Sequence, residues 1–452
     1  AIIVAKNPRF CCVLGQILEI LEKKKAVFLT GGGGVGKSYL TRQIIEHYEK
    51  NNKAVVALGS TGISAVNIGG ITIHSFFSFG ISKDLNELSQ LDKKQIQKLQ
   101  ELNKIIKNID LLIIDEISMV SADLFNMINY RLNRGFNGTL LLVGDFYQLA
   151  PVQKGVNGLD DNAKFTQNLF NTSIYAFSSH SWEMINPQNV LLLHSKRTND
   201  LEFYALLNEL RIGILSQKCL EFLRSCLISP TNQAPKDALR LFGVNKKADA
   251  VNKARLNEIK AQLYSFEASV EILDKKLSEQ AILKWIQSIT LPQILELKVG
   301  AEVIFCANKR GSFYNGERGT IVEINDEIIK VAKKNGVIVE VSKSVIELNE
   351  YANNGDEIIS IQRAKFIQYP LRLAYAITIH KSQGMSLDEF VCDIDDIFAR
   401  GQLYVALSRA TNPKGLFLHF SGRNLAWHLQ KSIACDSDVS AFYQNTKFLK
   451  ES

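Results

Sequence analysis

The feature that most constrains this chain is a glycine loop set between a strand and a helix. An apolar run over residues 26–30 (AVFLT) enters Gly31-Gly32-Gly33-Gly34-Val35-Gly36-Lys37-Ser38, and a polar helical stretch follows over residues 38–51. The octapeptide fits G-x-x-x-x-G-K-[ST], and a strand before it with a helix after it separates a phosphate loop from a chance glycine turn. Glycines let backbone N–H groups converge on phosphate oxygens with no Cβ in the way. The helix N-terminus adds the positive end of its dipole. On this reading Gly31, Gly34 and Gly36 line the phosphates of ATP, Lys37 reaches the β and γ phosphates, and the Ser38 hydroxyl binds Mg²⁺.

Hydrolysis then needs acids at a neighbouring strand tip. The run Leu111-Leu112-Ile113-Ile114 ends in Asp115-Glu116. Asp115 is expected to hold the metal ion and Glu116 to polarise the attacking water. A strand ending in two acids is a solvated strand end when it stands alone; paired with the phosphate loop it reads as catalytic. A third apolar run, residues 140–143, ends in Gly144-Asp145, with Gln148 three residues on. A glutamine amide donates and accepts at once, so Gln148 suits a contact with the γ phosphate or its water.

The surrounding pattern sets the fold class. Uniformly apolar strands at 26–30, 54–58, 111–114 and 140–143 alternate with polar helical stretches, including residues 84–107. That texture indicates an α/β fold with a parallel sheet covered on both faces. A second alternating block runs over residues 187–255 and returns at 370–420. Between them, residues 297–366 read as short strands with turn signals at Asn315-Gly316, Asn325-Asp326, Asn335-Gly336 and Asn353-Asn354-Gly355, a small antiparallel subdomain inserted into the second block. The part after Gly422 reads as helical, with no motif.

With these residues in view, a resemblance emerges. Asp115-Glu116-Ile117-Ser118 and the segment 144–152 (GDFYQLAPV) resemble motifs II and III of the petite-integration-frequency DNA helicases, close to the RecD branch of superfamily 1B. Residues 59–65 (GSTGISA) resemble motif Ia, and residues 69–76 (GGITIHSF) the DNA-contacting segment after it. Residues 134–152, with Phe136 and Gly138, resemble the family's signature stretch; residues 378–384 (TIHKSQG) resemble motif V and 401–409 (GQLYVALSR) motif VI. The matches stand in family order over most of the chain.

The resemblance implies two RecA-like P-loop motor domains with parallel sheets, and a small SH3-like β-barrel inserted in the second. The expected division is 1–185, with a wedge-like segment at 62–80; 186–255 with 369–435; an insertion at 256–368; and a tail at 436–452. It implies ATP-driven 5′-to-3′ movement on single-stranded DNA and unwinding of forked duplex, with G-quadruplex and RNA–DNA hybrid as related substrates, by a chain acting as a monomer. It places Thr61, Gly62, His74, Phe76, His380 and Ser382 on nucleic acid and Gln383 and Gly384 on the nucleotide, and it makes Arg197 and Arg409 arginine fingers. A guanidinium stabilises the charge that spreads as a phosphoryl group transfers, although an arginine taken alone is more often a surface ion pair. Phe76 and its neighbour Phe77, each taken alone, read better as core. Lys309, Arg310, Phe313 and Tyr314 in the inserted block are a second expected DNA surface, while Lys333-Lys334-Asn335-Gly336 reads as a solvated hairpin tip.

Three positions depart from the family. Motif III has Leu149-Ala150-Pro151-Val152 where Leu-Pro-Pro-Val is usual, and motif IV has Arg197-Thr198 in place of Arg-Gln. The adenine-reading glutamine is best matched by Gln16, at a spacing to Gly31 shorter than the family's.

Composition narrows the alternatives. With 46% hydrophobic and 22% charged residues among 452, and eight prolines, the chain can bury a large core and does not read as disordered. A net charge of +7 accommodates a polyanion without requiring one. The seven cysteines form no CxxC pair, which argues for a reducing compartment and against a zinc ribbon. The expected location is the bacterial cytoplasm near the nucleoid, or a nucleus or mitochondrion in a eukaryote. No apolar run reaches the ~18 residues that span a bilayer, so no membrane partner is expected. The start AIIVAKNPRF has no secretory pattern and no initiator Met, which leaves a removed leader open. An ATP-gated binding protein that never unwinds shares these motifs. A kinase or GTPase does not fit, because the Asn245-Lys246-Lys247-Ala248 run meets Asp249 one residue too late for NKxD.

Overall fold

The computed structural model describes residues 8–80, 82–151, 174–275, 277–325, 327–355, 357–397 and 399–450. Val152 of the signature stretch and Asp326 of one turn signal lie outside the described residues, as do the side chains of Cys11, Cys12 and Ile63. The chain divides into two compact units. The first takes residues up to 194, residues 349–361 and those from 436 onward; the second takes 195–348 and 362–435.

The first unit is built on a seven-stranded sheet. Its members are β1 (Ala26–Gly31), β2 (Val55–Gly59), β3 (Ile71–Thr72), β4 (Leu111–Asp115), β5 (Thr139–Val143), β6 (Gln188–Leu192) and, far along the chain, β21 (Leu449–Lys450). They lie in the order β21-β6-β1-β5-β4-β2-β3, every neighbouring pair parallel. Val27, Phe28, Leu29, Leu112, Ile113, Leu141 and Leu142 are fully buried, as a parallel sheet covered on both faces requires. Register aligns the strand ends. Leu29 pairs with Val143 and Ile114 with Leu142, so β1, β5 and β4 end side by side and deliver their loops to one edge. Ligands bind beyond the carboxyl ends of such strands.

The helical stretch expected over 84–107 is two helices, Leu85–Asp92 and Ile96–Lys107. The break follows Asp92, whose carboxylate takes a bidentate fork from the fully buried Arg131 of the helix Ala122–Leu132, at 2.7 Å on each arm. The strand at 188–192, which the pattern grouped with the second α/β block, pairs with β1 and belongs to the first sheet. Apolar texture specifies a strand but not the sheet it joins.

The second unit has a four-stranded parallel sheet of β7 (Leu239–Phe242), β18 (Ala376–Thr378), β19 (Phe390–Asp393) and β20 (Leu416–His419), in the order β18-β7-β19-β20. Between β7 and β18 the chain forms the inserted strands: β8 (Tyr264–Glu267), β9 (Ser269–Ile272), β10 (Ile294–Leu297), β11 (Glu302–Phe305), β12 (Arg318–Ile324), β13 (Ile329–Lys333), β14 (Ile338–Val341), β15 (Ser344–Asn354), β16 (Glu357–Gln368) and β17 (Leu371–Leu373). The largest of its sheets is five-stranded and antiparallel, β14-β13-β12-β11-β17. It closes over Leu297, Val303, Phe305, Phe313, Ile321 and Val331. Phe313, expected on DNA, is buried and stacks on Phe305 with centroids 4.3 Å apart, whereas Tyr314 stands exposed.

After Gly422 two helices form, Leu425–Ser432 and Ser437–Asn445; the second packs in the first unit. Cys219, Cys226, Cys306 and Cys392 are free thiols. Among the described residues, no helix is long and apolar enough to cross a membrane.

Candidate functional site

β1 ends at Gly31, which has φ 148°, and a Cβ there would meet the Leu192 carbonyl oxygen at 2.5 Å. Gly36, at φ 96°, is the left-handed residue that turns the loop into the helix Lys37–Lys50. Both positions therefore need glycine. The Lys37 ammonium donates to the carbonyls of Gly31 at 2.6 Å and Gly32 at 3.0 Å, which holds the cation across the loop. Ser38 is exposed in the first turn of the helix.

At the tip of β4 the Asp115 carboxyl is pushed up to about 7, first by burial and then by the adjoining Glu116 charge; the Lys37 and Arg42 charges oppose the shift. Glu116 has φ 53°. A non-glycine residue in the left-handed region costs on the order of 1–3 kcal/mol, and such strain gathers at functional sites. No sequence signal marks this.

At the tip of β5 the Asp145 side chain is fully buried. Its Oδ2 accepts from the Gln148 amide at 3.4 Å, and its Oδ1 accepts from the Tyr147 backbone at 3.2 Å and from the Tyr443 hydroxyl at 3.3 Å. Gln148 is thus tethered by a carboxylate. Tyr443 comes from the part of the chain that the sequence left without motif.

The second unit brings Arg197 and Arg409 together. Arg409 is 3% exposed and donates through Nε to Val405 O and through Nη2 to Ser408 Oγ. Arg197, half-buried, donates to Ser386 Oγ and to the Ser408 carbonyl. Burial, and after it the Arg409 charge, lowers the Arg197 guanidinium to about 9. Arg409 is buried rather than on the surface, and in these contacts both arginines bond neutral oxygens and repel each other. In the same unit Gln383 keeps a buried side-chain N–H without a partner, beside Gly384 at φ 82°. An orphaned buried donor is costly and suits an anionic acceptor.

The expected nucleic-acid residues divide. His74 is exposed on the short helix Ile73–Phe76, its ring edge on Phe79 at 6.1 Å. Thr61 and Gly62 are half-buried at the start of the helix Gly62–Ile68, where Thr61 and Ser64 exchange a reciprocal capping box. His380 is half-buried, and burial lowers its pKa. Two placements correct the expectation. Phe76 is 6% exposed and meets Phe77 at 4.8 Å and Tyr351 at 5.9 Å in T-shaped pairs, so it packs as core, the reading it has when taken alone. The Ser382 hydroxyl is fully buried and donates to Ile379 O at 2.7 Å. The Phe76–Phe79 segment is clamped from below by Arg131, whose Nε donates to Phe77 O at 3.1 Å. Gln16 lines a pocket with Val13, Ile17, Val190 and Leu449. Val190 pairs with Leu29, two residues before Gly31.

A phosphate loop with paired acids at one sheet edge, and two parallel-sheet units of RecA-like type, define an ATP-hydrolysing P-loop motor. Comparison with known proteins sharpens this. Residues 11–218 match the model of the PIF1-like helicases. The chain is 43% identical over 447 residues to the ATP-dependent DNA helicase Pif1 of Campylobacter jejuni, covering 96% of this chain and 98% of that one. Two solved structures of Bacteroides Pif1 share its fold. The complex with ADP-AlF4 has a TM-score of 0.77 at 24% identity over 95% of both chains. The form bound to single-stranded DNA has 0.62 at 25%, over 97% and 96%. The chain belongs to the PIF1-like helicase family, and it is an ATP-dependent DNA helicase.

Proposed function

We propose that the chain moves 5′ to 3′ on single-stranded DNA and parts forked duplex, acting as a monomer, with G-quadruplex and RNA–DNA hybrid as further substrates. The observation that carries the reading is the division of chemistry. Lys37, Asp115, Glu116 and Gln148 belong to the first unit, while Arg197 and Arg409 lie side by side in the second, bonded to neutral oxygens. Glu116 polarises the attacking water, Gln148 reads the γ phosphate, and the arginines supply positive charge as the phosphoryl group transfers. Gly31, Gly34 and Gly36 cradle the phosphates, and Gln383 and Gly384 are further nucleotide contacts. The Bacteroides relative bound to single-stranded DNA supports the strand as ligand. On this chain Thr61, Gly62, His74 and His380 are the contacts proposed.

Mg²⁺ fits the residues present. Asp115 and Glu116 crowd two half-buried carboxyls at one strand tip, which a divalent cation relieves, and the Ser38 hydroxyl is exposed at the start of the loop helix. Ser38 and Asp115 would hold the ion, which neutralises phosphate charge when bound.

The test titrates ATPase rate against oligo-dT while anisotropy follows binding. The rate should rise steeply with occupancy, and binding should weaken with salt at a log–log slope of about −0.7 per phosphate neutralised. A flat rate at saturated binding sinks the coupled-motor reading. Strand displacement on 5′-tailed against 3′-tailed duplex tests direction, and only the 5′ tail should support it.

A further inference from the structure

The part of the chain that carries no motif reaches into the ATPase site. The helix Ser437–Asn445 places the Tyr443 hydroxyl 2.7 Å from Thr30 Oγ1, 3.3 Å from Asp145 Oδ1 and 3.3 Å from the Phe146 backbone nitrogen. Thr30 and Asp145 are fully buried. A phenol has one proton to donate and two lone pairs to accept with. The three contacts fill that capacity in one way: the proton goes to the Asp145 carboxylate, and Phe146 N–H and the Thr30 hydroxyl donate to the oxygen.

We propose that Tyr443 is a positioning residue for ATP hydrolysis, tying the root of the phosphate loop to the carboxylate that tethers Gln148. Thr30 immediately precedes Gly31, and Asp145 accepts from the Gln148 amide. One hydroxyl therefore sets the spacing between the strand that holds the phosphates and the turn that senses them. The inference rests on Gln148 as the γ-phosphate reader.

The ring and the hydroxyl have separable roles. The ring stacks on Tyr147 at 4.6 Å and on Phe448 at 5.4 Å. Next to it Phe442 stacks on Phe177 at 4.4 Å and touches Phe146 at 5.6 Å and Phe28 at 6.1 Å. β21, a few residues on, pairs with β6. Packing therefore anchors the helix without the hydroxyl. Removing that oxygen takes one donor from a buried carboxylate and leaves Phe146 N–H and the Thr30 hydroxyl each short of a partner. Asp145 then turns toward its remaining donors, and Gln148 moves with it.

The variant Tyr443→Phe keeps the ring and its stacking. At saturating oligo-dT its kcat for ATP should fall about ten- to hundredfold, the worth of one hydrogen bond to a buried charge. KM for ATP and DNA affinity should stay near the parent's, and the protein should stay folded at the assay temperature although the orphaned groups lower its melting temperature by a few degrees. Affinity for ADP with aluminium fluoride should weaken while that for ADP does not. A Gln148→Ala variant and the double variant complete the cycle, and the double should be no slower than Gln148→Ala alone. Unchanged kcat in Tyr443→Phe overturns the proposal. So does a loss of kcat that comes with unfolding at the assay temperature, a rise in KM at constant kcat, or full additivity in the double. If Gln148→Ala is itself silent, the reading of Gln148 has failed; if it is impaired while Tyr443→Phe is normal, only the role of Tyr443 has failed.

Discussion

The two parallel sheets carry unequal halves of the chemistry. In the first, opposite charges stand near each other: Lys37 lies across the glycine loop, and its charge reaches Asp115. In the second, two guanidiniums are held together against their mutual repulsion. The difference teaches that the first unit sets a cation beside its strand-tip acid, while the second gathers two guanidiniums in one place.

That contrast can be broken from either side. The largest effect is expected for Lys37→Ala, which should drop turnover to background, a loss of at least about 10³-fold, since a cationic clamp on the transferring group is gone. A thermal melt should show the fold intact. Near-normal hydrolysis would remove the phosphate-loop assignment.

Arg409→Ala comes next. DNA-stimulated turnover should fall about 10³-fold, the lower end for an arginine finger, while anisotropy shows DNA still bound. Loss of binding in step with turnover would mean that the second unit's arginines hold the strand rather than the transition state.

Glu116→Gln should bind ATP yet hydrolyse it about 10²-fold more slowly, because an amide does not polarise water as a carboxylate does. Normal turnover would put the base elsewhere. The smallest effect sharpens the comparison: Glu116→Gly relieves the left-handed strain and should raise stability by about 1 kcal/mol while still losing turnover, as read by denaturant unfolding. If stability falls, Glu116 is held there by packing and the strain has no functional meaning.

The phosphate loop was legible because its evidence is local: four consecutive glycines, a lysine and a serine between a strand and a helix. Asp115 and Glu116 were legible because an apolar run ends where they begin. Phe76 carried two readings, a DNA contact from the motif around it and core when taken alone, and its packing against Phe77 and against Tyr351 from far along the chain favours core. Ser382 was misread because its hydroxyl bonds a carbonyl three residues back, a choice that a motif does not display.

The sequence by itself determined the phosphate loop, the acids at the strand tip, the parallel texture of both blocks and the inserted antiparallel strands, because each follows from residue type and short-range periodicity. The tertiary structure alone decided that the strand at 188–192 joins the first sheet, that Glu116 sits strained, and that Arg197 and Arg409 lie side by side. It alone decided that Tyr443 closes on Thr30 and Asp145 across most of the chain's length. Those outcomes depend on which buried surfaces meet. An apolar period specifies that a face will be covered; only packing selects the partner that covers it.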